Sequence, residues 1–419
     1  MISVMQNMLN GSDTGRLKVN VVNELNLPVG YAKVSISTTG LPEDNIMELV
    51  TNEDGQTENV ELETPPVNLS LEIDNIIQPY AEYTVNVTTN EYESIDVSGI
   101  QVMAETDAIQ NIVLRSKRID TSGTNIVIGA HTLYGEYPAK IPESSVKPIN
   151  ETGEIVLSRV VIPEYIVVHD GAPSDPTAKD YYVGYKDYIK NVACSEIYPT
   201  WEEETIKANV LAIMSFTLNR VYTEFYRNKG YDFTITSSTA YDHKFIYGRN
   251  IFDNISRVVD DIFNLYLSRP NIKQPILTQY CDGKRVSCPD WMRQWESQSL
   301  GLQGLSAIEI LRSFYGESIY INEANQISGI PASYPGYDLS EGMTGSKVMQ
   351  IQEQLDAIGD VYTSIGNVTP DGIYGPATKR AVMAFQKVFD LPQTGIVDFP
   401  TWYKISAIYV GITRIAELV

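Results

Sequence analysis

"YIKNVACSEIYPTWEEETIKANVLAIMSFTLNRV", residues 188–221, decides how the middle of the chain is organised. Ile206, Val210, Ile213, Phe216 or Thr217, and Val221 fall at helical spacing, so a long helix is expected from about Thr205. Thr200 and Glu203 have the T-x-x-E spacing of a capping box at its start. A glutamate in the first turn also complements the helix dipole. Glu202, Glu203 and Glu204 therefore have a structural role. Glu196 does not: it stands apart, beside Ile197, Tyr198 and Trp201. It reads either as an ordinary loop carboxylate or as a group that does chemistry.

Outward from this stretch, "EYIVVH" (164–169) reads as a buried strand, "NIFDNISRVVDDIFNLYLSR" (250–269) as a second amphipathic helix, and "QPILTQYC" (274–281) as a strand. Residues 161–325 thus form an α+β domain. Further upstream the rhythm has period two. "RLKVNVVNE" (16–24), "YAKVSIST" (31–38), "VNLSLEID" (67–74), "EYTVNVTT" (82–89) and "QNIVLRS" (110–116) predict an all-β sandwich over 1–118 that carries no catalytic groups. Residues 119–160 read as a linker containing one strand and open to proteolysis, and 326–337 as a second linker. Three short helices with glycine turns are expected in 338–419.

A length of 419 residues fits two or three domains. The formal charge of −22 excludes a nucleic-acid partner, whose phosphates require a basic surface, and gives no attraction to an anionic membrane. The first residues lack the pattern of a secretion signal, so the expectation is that the chain is made without one. Cys281 and Cys288 either close a small loop or remain free thiols. Cys194 reads as a buried structural cysteine. No histidine is linked by a local signature to Cys194, as a thiol nucleophile requires.

"LPVGYAKVSIST" followed by "TNEDGQ" resembles the prealbumin-like carboxypeptidase regulatory domains, which carry no catalytic groups. The C-terminal segment resembles the peptidoglycan-binding domain of bacterial wall enzymes. The matching positions are Gly342, Gly345, Val348, Gln352 and Leu355, then the "DGIYG" run from Asp371 to Gly375, Thr378, Phe385-Gln386, Gly395 and Thr401-Trp402. That resemblance implies wall contacts at Asp371 and Tyr374. Residues 188–221, with "MRQWESQSLGLQGLSAIEILRSFYGESI" (292–319), resemble the sporulation stage II protein D and LytB family through a Ser-Glu, a Trp, a Glu and a Lys-Ala helix.

The second family implies that Glu196 is the catalytic acid/base of a lytic transglycosylase. Tyr241 and Asp242 either line a sugar groove or merely pack, Gln294 and Trp295 are candidate contacts with a core Trp as the alternative, and Tyr198, Trp201 and Arg220 are further candidate substrate contacts. The order of the parts resembles clostridial spore-cortex-lytic enzymes. It implies a zymogen stored in the spore cortex or coat region after synthesis in the mother cell, and activated by a germination protease. Spore cortex peptidoglycan is the implied partner.

Two features depart from the family pattern. Met214 stands where an arginine is usual, with Arg220 a turn or two on. Where some relatives bind zinc, "STAYDHKFIYGR" offers only His243, so no metal and no cofactor is expected. A lone acid must stay protonated near neutrality, which calls for burial against an apolar wall, expected from Ile197, Tyr198 and Trp201. A water-using muramidase, with Asp242 or Glu202 as second carboxylate, and a non-catalytic amidase enhancer are the alternatives.

Overall fold

A computed structural model describes residues 13–41, 43, 45–117, 123–143, 159–288, 290–330 and 332–414. The alternating N-terminal segments form strands, because Leu17, Val19 and Val21 turn to one face and are fully buried. One sheet runs Asn45–Val50, Lys33–Thr38, Ala81–Thr88, Ile95–Val102, Thr124–Val127. The other contains Asp107–Leu114, Asp13–Asn23 and Val60–Thr64, with Asp13–Asn23 and Asp107–Leu114 parallel from Arg16 opposite Asp107 to Asn23 opposite Leu114. The strand expected within 119–160 is Thr124–Val127, paired parallel to Ile95–Val102. Of the stretch 119–160 expected to be a linker open to proteolysis, residues 119–122 and 144–158 lie outside the described residues.

"VNLSLEID" departs from expectation. Pro66 precedes a short 3-10 turn at Val67–Ser70, and no strand forms there. Tertiary bonds decide the outcome. Asp13 Oδ2 accepts from Val67 N at 2.8 Å. The Ser70 hydroxyl meets Thr200 Oγ1 at 2.8 Å, and Ser70 O accepts from Trp201 Nε1 at 3.2 Å. Thr200 is thereby withdrawn from the expected capping box. The long helix begins at Glu203 with Glu202 as an N-cap that makes no side-chain bond. A complete capping box forms elsewhere, from Ser306 and Glu309.

The middle of the chain is mixed α/β. Its helices are α1 (Tyr185–Glu196), α2 (Glu203–Tyr222), α3 (Asp253–Ile262), α4 (Gln294–Leu302) and α5 (Ala307–Tyr315). Glu196 is therefore the last residue of a helix and not a loop carboxylate. The second amphipathic helix is shorter than its pattern suggested, because Leu265–Ser268 leaves as a strand to pair with Tyr320–Glu323. Of "QPILTQYC" only Tyr280–Cys281 is strand, parallel to Met292–Arg293.

The C-terminal region consists of α6 (Ser346–Gly359), α7 (Pro376–Val388) and α8 (Phe399–Thr413). Asp398 caps α8 by accepting from Thr401 N.

The regions share strands and core. Ile251–Phe252, from the middle region, adds a strand to the N-terminal sheet beside Asp107–Leu114. Residues 326–337 are not wholly connector, since Gln326–Ile327 pairs with Val161–Ile162. Lys18 Nζ binds both oxygens of Asp390 at 2.9 and 3.0 Å, and Gln56 Nε2 donates to Val388 O at 2.7 Å. One buried apolar cluster runs from Leu17 through the middle helices to Ile405.

The contact of α2 with α4 depends on a glycine. A Cβ on Gly301 would stand 2.0 Å from Thr205 Oγ1. Gly301→Ala is expected to cost roughly 1–3 kcal/mol by overpacking and to lower the melting temperature by several degrees in a thermal scan. An unchanged transition would mean that α2 and α4 do not pack this way.

Candidate functional site

The site is built on the last turn of α1. Ser195 Oγ donates back to Asn191 O at 2.8 Å, and Ile197 leaves the helix in extended conformation. The Glu196 carbonyl accepts from Gln294 Nε2 at 3.3 Å, which fixes the helix end against α4. The Glu196 side chain has no exposure at all. Its Oε1 accepts the Lys244 backbone N–H at 2.6 Å, and its Oε2 accepts the Tyr280 hydroxyl.

Burial pushes the Glu196 carboxyl up from 4.5 to about 7, opposed by the charge of Lys140, the Tyr280 hydroxyl and the Lys244 N–H. The partial negative charge at a helix C-terminus acts in the same direction as burial.

Around the carboxyl lies a layer of neutral rings. The Tyr280 ring stacks on His243 at 5.6 Å, and His243 Nδ1 meets the Tyr188 hydroxyl at 3.0 Å. Burial, followed by the Lys140 and Arg220 charges, holds His243 well below the usual imidazole range. Lys140 is itself pushed down to about 8 by burial, with Glu196 and Asp242 opposing. An opening beside Tyr280 is lined by Lys140, Ile141, Phe216, Tyr241, Asp242, Gln279, Tyr280 and Trp291, and encloses about 10 Å³. That is space for about one water molecule, not for a sugar.

The expected contacts divide into two groups. Tyr241 and Asp242 line the opening. Asp242 is a structural anchor, with Arg220 Nε at 2.8 Å, Tyr226 Oη at 2.6 Å, Thr236 N at 3.0 Å and Thr236 Oγ1 at 2.8 Å all donating to it. Three of these donors fall on Oδ2 and the Arg220 guanidinium pairs with Oδ1, so the carboxylate is held as an ion-pair partner and is a poor base for water. Glu202, the other candidate second carboxylate, is the N-cap of α2.

Arg220 does not replace the arginine absent at Met214. It pairs with Asp242 and with Glu143 at 2.6 Å, and its guanidinium lies 3.9 Å from the Phe225 ring centroid. The positive charges that act on Glu196 are those of Lys140, the larger, and Lys244.

Tyr198, Trp201 and Trp295 require correction as substrate contacts. All three are buried and pack edge-on or tilted at 5.1–6.1 Å between ring centroids. Trp201 joins this cluster to the N-terminal region through Ser70 O. Gln294 is fully buried and acts on the Glu196 carbonyl. Tyr280, the Lys244 N–H and Lys140 were not foreseen as partners of Glu196. Each is distant in sequence; Lys244 lies in the "STAYDHKFIYGR" stretch, while Tyr280 and Lys140 carry no motif.

Cys281 and Cys288 are joined in a disulfide. Cys194 is buried, its Sγ accepts from Phe252 N at 3.3 Å, and burial raises its thiol to about 11. It is no nucleophile at neutral pH. Among the described residues no three His, Cys, Asp or Glu side chains gather as a metal-ligand set, and no helix is long and apolar enough to cross a membrane.

In the C-terminal region Asp371 is exposed, and its Oδ1 accepts from Ile373 N at 2.8 Å and from Gln352 Nε2 at 2.9 Å. Those bonds hold its carboxyl below the usual range. Tyr374 is buried with its hydroxyl on Gly395 O at 3.0 Å, so it is a core residue and not a wall contact. Its neighbour Ile373, 54% exposed, presents the apolar surface of that turn.

Residues 344–405 match the family described as a putative peptidoglycan binding domain. The chain therefore carries a C-terminal peptidoglycan-binding region, which supports peptidoglycan as a partner. Among solved structures, the SleB N-terminal domain aligns at 23% identity over 18% of this chain and 99% of that one, with a TM-score of 0.17. The 3-chlorocatechol 1,2-dioxygenase of Rhodococcus opacus 1CP aligns at 12% identity over 26% of this chain and 61% of that one, with a TM-score of 0.19. Catechol 1,2-dioxygenase from Acinetobacter sp. ADP1 aligns at 14% over 28% and 59%, with a TM-score of 0.17. Comparison with curated proteins gives no match.

The raised Glu196 carboxyl has a consequence for stability. Below about pH 4.5 the folded and unfolded chains both hold this proton. Between there and about pH 7 only the folded chain does, so wild-type stability falls as pH rises through this window. Glu196→Gln removes the effect. Melting curves of both proteins from pH 4 to 8 are expected to diverge in favour of the variant by on the order of 2–3 kcal/mol at the upper end. Parallel curves would place the Glu196 carboxyl at an ordinary value.

Proposed function

We propose that the chain is a peptidoglycan lytic transglycosylase acting on spore cortex, made as an inactive precursor and activated by proteolysis during germination. The observation that carries the reading is Glu196: one buried carboxyl, protonated to about pH 7, while Asp242 is tied up in an ion pair with Arg220 and in bonds from Tyr226 and Thr236. Hydrolysis of a glycoside calls for two free carboxylates. Transglycosylation calls for one.

Glu196 gives its proton to the glycosidic oxygen as the bond from muramic acid C1 to that oxygen breaks. The resulting carboxylate, steadied by the Lys244 N–H and the Tyr280 hydroxyl, then takes the proton of the C6 hydroxyl as O6 closes onto C1. The product is a 1,6-anhydro end. No water is consumed, and Glu196 is returned in its acid form.

The order of parts resembles SleC, a clostridial spore-cortex-lytic enzyme. That resemblance brings the precursor, the activating protease and the spore location into the reading. A peptidoglycan-binding region on the same chain raises the effective concentration of insoluble substrate at the catalytic centre.

Digestion of decoated spores by chain cut within residues 144–158 tests the reading. Wild type is expected to release muropeptides with 1,6-anhydro termini by mass, and Glu196→Gln to be roughly 10²–10⁴-fold slower. Reducing termini would favour a muramidase. No release by the cut wild type would favour a wall-binding partner of another enzyme.

A further inference from the structure

Residues 131–143 run beside Glu196 and its partner Tyr280 and are tied down at both ends. At the N-terminal end, His131 N donates to the Tyr80 hydroxyl of the N-terminal sheets at 3.0 Å, and the His131 ring packs on Tyr198 at 4.5 Å. Thr132 N donates to Ser195 O, the residue before Glu196, at 3.1 Å. Arg285 clasps the turn by donating to the carbonyls of Thr132, Leu133 and Gly135.

In the middle, Tyr137 is buried against the Cys281–Cys288 disulfide, with Val286 and Trp291 around it. At the far end, Ile141 N donates to Ala240 O at 2.7 Å and Glu143 pairs with Arg220 at 2.6 Å. Between these ties Lys140 projects inward. Its Nζ reaches Asp242 O at 3.4 Å and stands 5.5 Å from the centroid of the Tyr280 ring that binds Glu196.

We propose that residues 131–143 are an inhibitory strap that occupies the glycan cleft, with Lys140 as its plug, and that the site opens only when the strap is displaced. The inference rests on the reading of Glu196 as the catalytic acid. It assigns the block to a short segment and not to the sheets as a whole. The opening beside Tyr280 has room for about one water molecule with the segment in place.

The Lys140 ammonium fills the space beside the Asp242 carbonyl and the Tyr280 ring. The ties of the strap are mostly backbone bonds and one ion pair. Such ties hold while both ends of the segment are continuous with the protein. They weaken once one end is free and the effective concentration of the segment over the cleft falls.

The test uses the full chain with a specific protease site inserted within 144–158, and a second version with Ile141→Cys and Ala240→Cys to cross-link the strap in place. Labelling of Glu196 by a water-soluble carbodiimide is read by peptide mass, and muropeptide release from decoated spores in parallel. The cut chain is expected to label and to release muropeptides at least 10-fold faster than the intact chain. The cut, cross-linked chain is expected to match the intact one until reductant is added, with the cut wild type in the same reductant as reference for the native disulfide.

Equal labelling of Glu196 in the cut forms with and without the cross-link would overturn the strap. Labelling that follows the strap while no form releases muropeptides would leave the strap standing and sink the transglycosylase reading instead.

Discussion

The structure turns on the burial of one carboxyl at the end of α1. An ionised carboxylate with no water around it is costly, and two routes reduce the cost: donate hydrogen bonds to it, or leave its proton on. Glu196 uses both. The Lys244 N–H and the Tyr280 hydroxyl favour the anion, burial favours the acid, and the balance falls near neutrality. A general acid that becomes a general base within one turnover needs such a balance, because either extreme would stop half of the cycle.

Much of the middle region serves to hold that balance. Asn191 on α1 exchanges two bonds with Ile246, its Nδ2 to O at 2.8 Å and its Oδ1 from N at 3.0 Å, which fixes the segment that brings Lys244 to Glu196. Arg220 and Asp242 neutralise each other beside the opening. His243 stays uncharged between Tyr188 and Tyr280. Were His243 to hold a proton, it would add a positive charge next to Glu196 and draw the carboxyl towards its anion. The layer of rings keeps the local charge low enough for one proton to matter.

The parts of this arrangement were unequally legible in the sequence. Alternation exposed the strands around Leu17 and Val34, since each has one buried and one wet face. The C-terminal helices followed from glycines and apolar positions in fixed order. Helix α1 escaped, because ten of its twelve residues are buried and a helix covered on every side shows no apolar stripe. Glu196 stood out by elimination, but its surroundings did not. Tyr280 is 84 positions away, and Lys140 lay in a stretch that read as linker. The aromatic neighbours in sequence, Tyr198 and Trp201, proved to be interface core. Thr200 lost its capping role to a contact with Ser70, and Tyr374 lost its wall contact to burial; long-range packing decided both.

The strand Ile251–Phe252 lies in the N-terminal sheet although it belongs to the middle of the chain, and the Lys18–Asp390 pair fastens the same sheet to the C-terminal helices. A single backbone break between 143 and 159 therefore severs no part from the rest. The two fragments would migrate apart on a denaturing gel yet travel as one particle through a sizing column, and any dissociation of the sheets would come later, at a pace set by the strength of that shared core.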